Sequence, residues 1–111
     1  MNDMNDWRVA FELHEDDDGT MLVVRGEIDL SVATRFAQEL ERVLQRATVP
    51  VTVDLAAVGF IDSAGVRELV MAQRRARDDG VDLVLRDPSD ACRRVLELSG
   101  LLAEFTIVEA A

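Results

Sequence analysis

Three times along this chain a short apolar, β-branched run gives way to apolar residues at helical spacing. That alternation limits the fold more than any other feature. Met21 to Glu27 precedes a face of Ala33, Phe36, Ala37, Leu40, Val43 and Leu44. Val51 to Leu55 precedes Val66, Leu69 and Val70, with Gln73 or Ala76 completing that face, and Val81 to Leu85 precedes Val95, Leu96 and Leu98. Strands alternating with helices fold as βαβ units around a parallel sheet, with right-handed crossovers. Ahead of them Trp7, Val9, Phe11 and Leu13 alternate with Arg8, Ala10, Glu12 and His14, which is a strand with one wet face. Asp16-Asp17-Asp18-Gly19 is a turn, so a hairpin leads into the second strand. Phe105 to Val108 offers a short edge strand. The order ββαβαβα(β) predicts one α/β domain over residues 7–111, after a polar tail over residues 1–6. Its mixed sheet is parallel at the centre, its first strand antiparallel, and its helices pack on the sheet.

Local signals place the boundaries. Ser31 stands where it caps the first helix, on whose outer side Arg35 and Glu39 form an i,i+4 pair. Pro50 opens the third strand, where a missing amide costs least. After Leu55 a short loop leads to Asp62-Ser63, and Ser63 falls at the N-cap of the second helix. Gly80 ends that helix, with Arg74, Arg75 and Arg77 near its negative end. Asp87-Pro88 starts the last helix and Gly100 stops it.

Composition excludes several function classes. The chain has 111 residues, 49% of them hydrophobic, enough for one modest core and too few for two domains. No run of apolar residues reaches membrane-spanning length, and Met-Asn-Asp-Met-Asn-Asp lacks the basic and apolar regions of a signal peptide. Cys92 is the single cysteine, so no internal disulfide forms, and a cytoplasmic protein is expected. Twenty-two acidic against 12 basic residues give a net charge of −10, which disfavours nucleic acid and anionic membrane and favours a partner with a basic face. Every basic residue is arginine. Without lysine there is no P-loop and no Schiff-base chemistry. One histidine, His14, supports no serine–histidine–acid set, and with one cysteine it makes no zinc site. Asp16-Asp17-Asp18 lacks the remaining ligands of an EF-hand loop. No metal or cofactor is expected.

The residues that remain cluster at strand ends. Ser63 presents a hydroxyl at a helix start, where amide groups favour negative charge, so it is either a plain cap or a site that takes a phosphate without breaking the fold. Asp62 either helps present it or makes a local turn bond. Gly65 admits the close approach of a partner or of the sheet behind it. Asp29, with Glu27, ends the second strand at the carboxyl edge, where parallel sheets build their sites; the alternative is a turn residue. Asp54 is expected to satisfy loop amides, and Cys92 to be a small buried hydrophobe.

Three blocks carry a family resemblance. Met21-Leu-Val-Val-Arg-Gly-Glu-Ile-Asp-Leu30 resembles a second strand with its Gly-Glu-hydrophobic-Asp ending. Phe60-Ile-Asp-Ser-Ala-Gly-Val66 resembles a phosphorylated serine motif. The segment from Pro88 to Leu102 is similar to a last helix with a glycine-leucine exit. In this order they resemble the bacterial anti-sigma-factor antagonists, whose fold is the STAS domain, over about Trp7 to Val108. The resemblance implies a substrate of an enzyme rather than an enzyme. Ser63 would be phosphorylated, and Asp62, Ser63, Ala64, Gly65, Glu27 and Asp29 would meet the partner. That partner would be an anti-sigma factor that is also a serine-protein kinase, with a phosphatase to reverse the modification. The rival implied function is a STAS subunit docked constitutively in a lipid-transport complex.

Overall fold

The computed structural model describes residues 8–110. In chain order the elements are β1 (Val9–Asp16), β2 (Gly19–Ile28), α1 (Leu30–Arg46), β3 (Val51–Ile61), α2 (Ser63–Asp78), β4 (Leu83–Arg86), α3 (Asp90–Leu98) and β5 (Thr106–Val108), with a 3₁₀ turn at Leu102–Glu104. The expected tail over residues 1–6 and the expected start of β1 at Trp7 lie outside the described residues, as does Ala111.

The sheet runs in chain order, β1-β2-β3-β4-β5. β1 is antiparallel to β2 and every later pair is parallel, as the element order predicts. Each crossover steps the same way along the sheet. Crossovers of one hand stepping in one direction put their helices on the same face of the sheet, and all three helices share one core with it. Burial follows: Val51, Val53 and Leu55 of β3 and Leu83 and Leu85 of β4 are buried, whereas Thr52, Asp54, Val84 and Arg86 on the other face are half-buried. One core joins these strand residues to Phe36 and Leu40 of α1, Leu69 and Ala76 of α2, and Cys92 and Leu96 of α3.

Several boundaries differ from expectation, each for a physical reason. β3 does not stop at Leu55 but continues to Ile61, because β2 is long enough to pair with it throughout, through two register shifts around Arg25 and Gly26. The stretch read as a loop is thus a strand interrupted by bulges. β4 pairs only as far as Asp54. Beyond that, the start of α3 takes over the free edge: Ser89 N donates to Leu55 O at 3.3 Å and Ser89 Oγ to Val58 O at 2.6 Å. β4 itself begins two residues later than expected, since Val81 N is used to close α2 on Ala76 O.

β1 is wetter than its alternation suggests: Val9 is buried and Phe11 stacks on Phe36, but Leu13 is 38% exposed at the hairpin end. On α1, Arg42 rather than Arg35 reaches Glu39 (3.4 Å), while Arg35 lies over the Phe11 ring. On α2, Ala72 and Ala76 occupy the inward positions, with Val70 and Gln73 only half-buried.

Candidate functional site

β2 and β3 end side by side, Ile28 opposite Ile61, and each is followed at once by an aspartate that caps a helix. Asp62 N donates to Ile28 O at 3.1 Å, so the two exits are tied together at one edge of the sheet. Two helix N-termini, distant in sequence, thus stand next to each other.

The serines are not the caps of these two helices. Asp29 is the N-cap of α1, accepting from Ser31 N at 2.9 Å and Ser31 Oγ at 2.6 Å. Asp62 is the N-cap of α2, and its Oδ1 accepts from Ala64 N at 3.0 Å and Gly65 N at 3.3 Å. In each pair the aspartate comes first and is already in extended backbone, so its carboxylate takes the free amides and the serine becomes the first or second helical residue. The expected caps Ser31 and Ser63 are corrected accordingly. In the last helix Ser89 is the cap, accepting from Cys92 N, and Asp87-Pro88 lies just before it.

This displacement is what makes Ser63 available. Its side chain is exposed, and among the described residues its hydroxyl has no hydrogen-bond partner. Ser31 Oγ is held by Asp29 and Ser89 Oγ by Val58 O. Ser63 therefore offers a free hydroxyl on a first turn already fixed by its neighbour. Of the two roles expected of Asp62, the local turn bond is the one its hydrogen bonds make.

Gly65 is buried; a Cβ there would stand 2.7 Å from both Ile28 Cγ2 and Ile61 Cγ1. Its lack of a side chain is first a packing requirement, letting α2 sit on the two strand ends. Ala64 is half-buried beside it, and Glu27 is exposed opposite Phe60 in the β2–β3 register. Asp29 is half-exposed, 3.9 Å from Arg8. The Ser31 hydroxyl bond, with the Ser31 and Val32 amides and Arg8, holds its carboxyl below the usual aspartate range, against a smaller effect of burial. Asp54 accepts from Ala56 N at 2.9 Å, the amide-satisfying role expected of it. Cys92 is fully buried, which pushes its thiol pKa up and makes it a poor nucleophile. Among the described residues no group of His, Cys, Asp and Glu is placed to hold a metal, and no helix is long and apolar enough to cross a membrane.

Two residues of this edge escaped the sequence reading. Leu30 is 77% exposed and Phe60 47% exposed, on either side of the paired caps. The available signal was position: Leu30 falls off the apolar stripe of α1, and Phe60 breaks alternation immediately before the buried Ile61.

The family model described as "Mlab, STAS domain" matches residues 11–109. The anti-sigma-B factor antagonist of Listeria monocytogenes is 32% identical over 94 residues, 84% of this chain and 82% of its own. Among solved structures, an anti-sigma factor antagonist from Mycobacterium paratuberculosis is 27% identical with a TM-score of 0.76, covering 89% of this chain and 84% of that one. SpoIIAA, a Bacillus cell fate determinant, is 21% identical and shares the fold. Its unphosphorylated form has a TM-score of 0.75 over 92% of this chain and 89% of that one, and its phosphorylated form 0.70 over 92% of each.

Proposed function

The chain belongs to the STAS domain family of anti-sigma factor antagonists, and from that membership we propose that it is a partner-switching regulator controlled at Ser63. Unphosphorylated, it captures an anti-sigma factor that is also a serine kinase, and so frees a sigma factor. Phosphorylation of Ser63 ends the capture, and a phosphatase restores it. The chain acts as binder and substrate rather than catalyst, in the cytoplasm, without contacting nucleic acid or membrane itself.

The observation that carries this reading is the free, exposed hydroxyl of Ser63 beside the capping carboxylate of Asp62. A kinase needs an accessible hydroxyl, and the fold holds this one on a fixed turn without using it. A phosphoserine adds about −1.5 to −2 charges. Here it stands next to Asp62, on the edge that carries Asp29 and Glu27, in a chain of net charge −10. The α2 amides that would otherwise stabilise it are already engaged by Asp62. The added charge therefore faces outward, where a partner would have to desolvate it. Moving a binding equilibrium from mostly bound to mostly free takes about 5.5 kcal/mol, within reach of one such charge inside an interface.

Incubation with the kinase and ATP, followed by intact mass spectrometry, tests the site. One phosphoryl group is expected, abolished by Ser63→Ala. Phosphate on Ser31, Ser89 or Ser99 would overturn the assignment. A chain that binds a transport ATPase with the same affinity whatever stands at position 63 would instead be a constitutive docking subunit.

A further inference from the structure

The inward face expected of Val95, Leu96 and Leu98 on α3 holds only in part: Leu96 is buried, Val95 is half-buried at the margin of the core, and Leu98 is exposed. Cys92 and Leu96 point inward and are at most 1% exposed. Ala91, Arg94, Val95 and Leu98 recur at intervals of three and four residues, which sets them in one stripe along the helix. Its end is Leu98, 82% exposed. The stripe adjoins the Ser63 edge. Phe60, Ile61, Asp90, Ala91, Arg94 and Val95 line one open depression of about 330 Å³. Phe60, itself 47% exposed, lies near the end of β3, three residues before Ser63 at the start of α2.

This surface is rigidly placed. Ser89 bonds β3 through both its amide and its hydroxyl just before the helix begins. Asp87, just before it, turns the chain at φ 55, a left-handed conformation that aspartate tolerates better than most residues, and its amide donates to Val108 O at 2.8 Å. The charges along it are ordered. Asp62 and Asp90 stand at the Ser63 end. Arg94 follows, exposed, and makes none of the ion pairs found among the described residues.

We propose that the contact with the anti-sigma factor runs from Ser63 across Phe60 onto the outer face of α3. There it seats an apolar segment with a basic residue toward Asp62 and Asp90 and an acidic residue opposite Arg94. The inference rests on the switching reading above and extends it to a second surface. A specific interface covers roughly 800 Å² on each partner, with apolar residues at its centre and charged ones at its rim. The paired caps offer one large exposed apolar side chain of their own, Leu30, which is too little for such a centre. Phe60, Val95 and Leu98 supply the missing apolar centre.

The test uses the full chain and the purified serine-kinase anti-sigma factor of the same organism. Leu98→Glu and Arg94→Glu alter exposed side chains and should fold normally by circular dichroism. Each should weaken binding at least about tenfold. Met71→Glu, at an exposed position on α2, should not change it. Hydrogen exchange of the wild-type complex should show protection over residues 57–61 and 91–98. If Ser63→Asp abolishes binding while the α3 variants bind as wild type and residues 91–98 stay unprotected, the inference is overturned and the switching reading stands. If no variant, Ser63→Asp included, changes the affinity, the switching reading falls and takes the inference with it. Sedimentation showing a homodimer that Leu98→Glu disrupts, with kinase affinity intact, would assign the stripe to a second copy and also overturn the inference.

Discussion

The distinction between a capping serine and a serine that follows a capping aspartate changes what each substitution should do. Because Asp62 holds the α2 amides, Ser63→Ala should cost well under the ~1 kcal/mol typical of losing a cap, whereas Asp62→Ala should cost about that amount. Urea denaturation of the two variants separates them, and equal losses would restore Ser63 to the cap. Asp29 makes a second prediction. Its carboxyl is held below the ordinary value of 3.8, chiefly by the Ser31 hydroxyl. A depressed folded-state value means the stabilisation is complete above the unfolded-state range, near 3.8, and is lost as pH falls through the folded value. Ser31→Ala should therefore raise the Asp29 pKa toward 3.8, read by NMR titration of the carboxyl carbon. An unchanged value would assign the shift to Arg8 and the backbone amides.

Elements were legible where their pattern was periodic. The helical stripes of α1 and α2 and the alternation of β3 and β4 stood in the sequence because a single core face demands them. The second half of β3 was not legible. Ala56, Ala57 and Gly59 carry no strand preference, and the stretch is extended because β2 pairs with its neighbours through its bulges. Gly26 is the pivot of that irregularity. It sits at φ +107, and a Cβ there would fall 1.9 Å from Arg8 O, a backbone atom that cannot step aside. At Gly65 the obstructing atoms are side chains of Ile28 and Ile61. Both alanine variants should be destabilised: Gly65→Ala by roughly 1–3 kcal/mol, as overpacking usually costs, and Gly26→Ala by more. Thermal melts rank them, and the reverse order would mean that β1 gives way more easily than α2 does. The site shares this pattern of legibility. Its motif residues could be read from the Asp62-Ser63 pair, and the parallel order already set Asp29 at the same edge; the β2–β3 register added which residues of that edge stand opposite each other. The exposure of Phe60 and Leu98 needed the placement of α3.

Across the molecule, a net charge of −10 and an acidic edge should act on encounter more than on the finished complex. Association with a basic-faced kinase should quicken at low salt and slow as the Debye length falls to about 10 Å near 0.1 M. Asp29→Asn is a clean probe, since asparagine caps a helix nearly as well as aspartate, so α1 should be preserved while one charge is lost. Stopped-flow mixing should show slower association with little change in dissociation. An unaltered rate and salt dependence would confine Asp29 to its capping role.

Switching at Ser63 itself is tested most directly by titration calorimetry of the unmodified chain, Ser63→Ala and Ser63→Asp against the kinase-type anti-sigma factor. Aspartate suits the first turn of a helix, so the third protein should fold as well as the other two. The switching account predicts that the unmodified chain and Ser63→Ala bind alike while Ser63→Asp binds far more weakly; equal affinity for all three would contradict it.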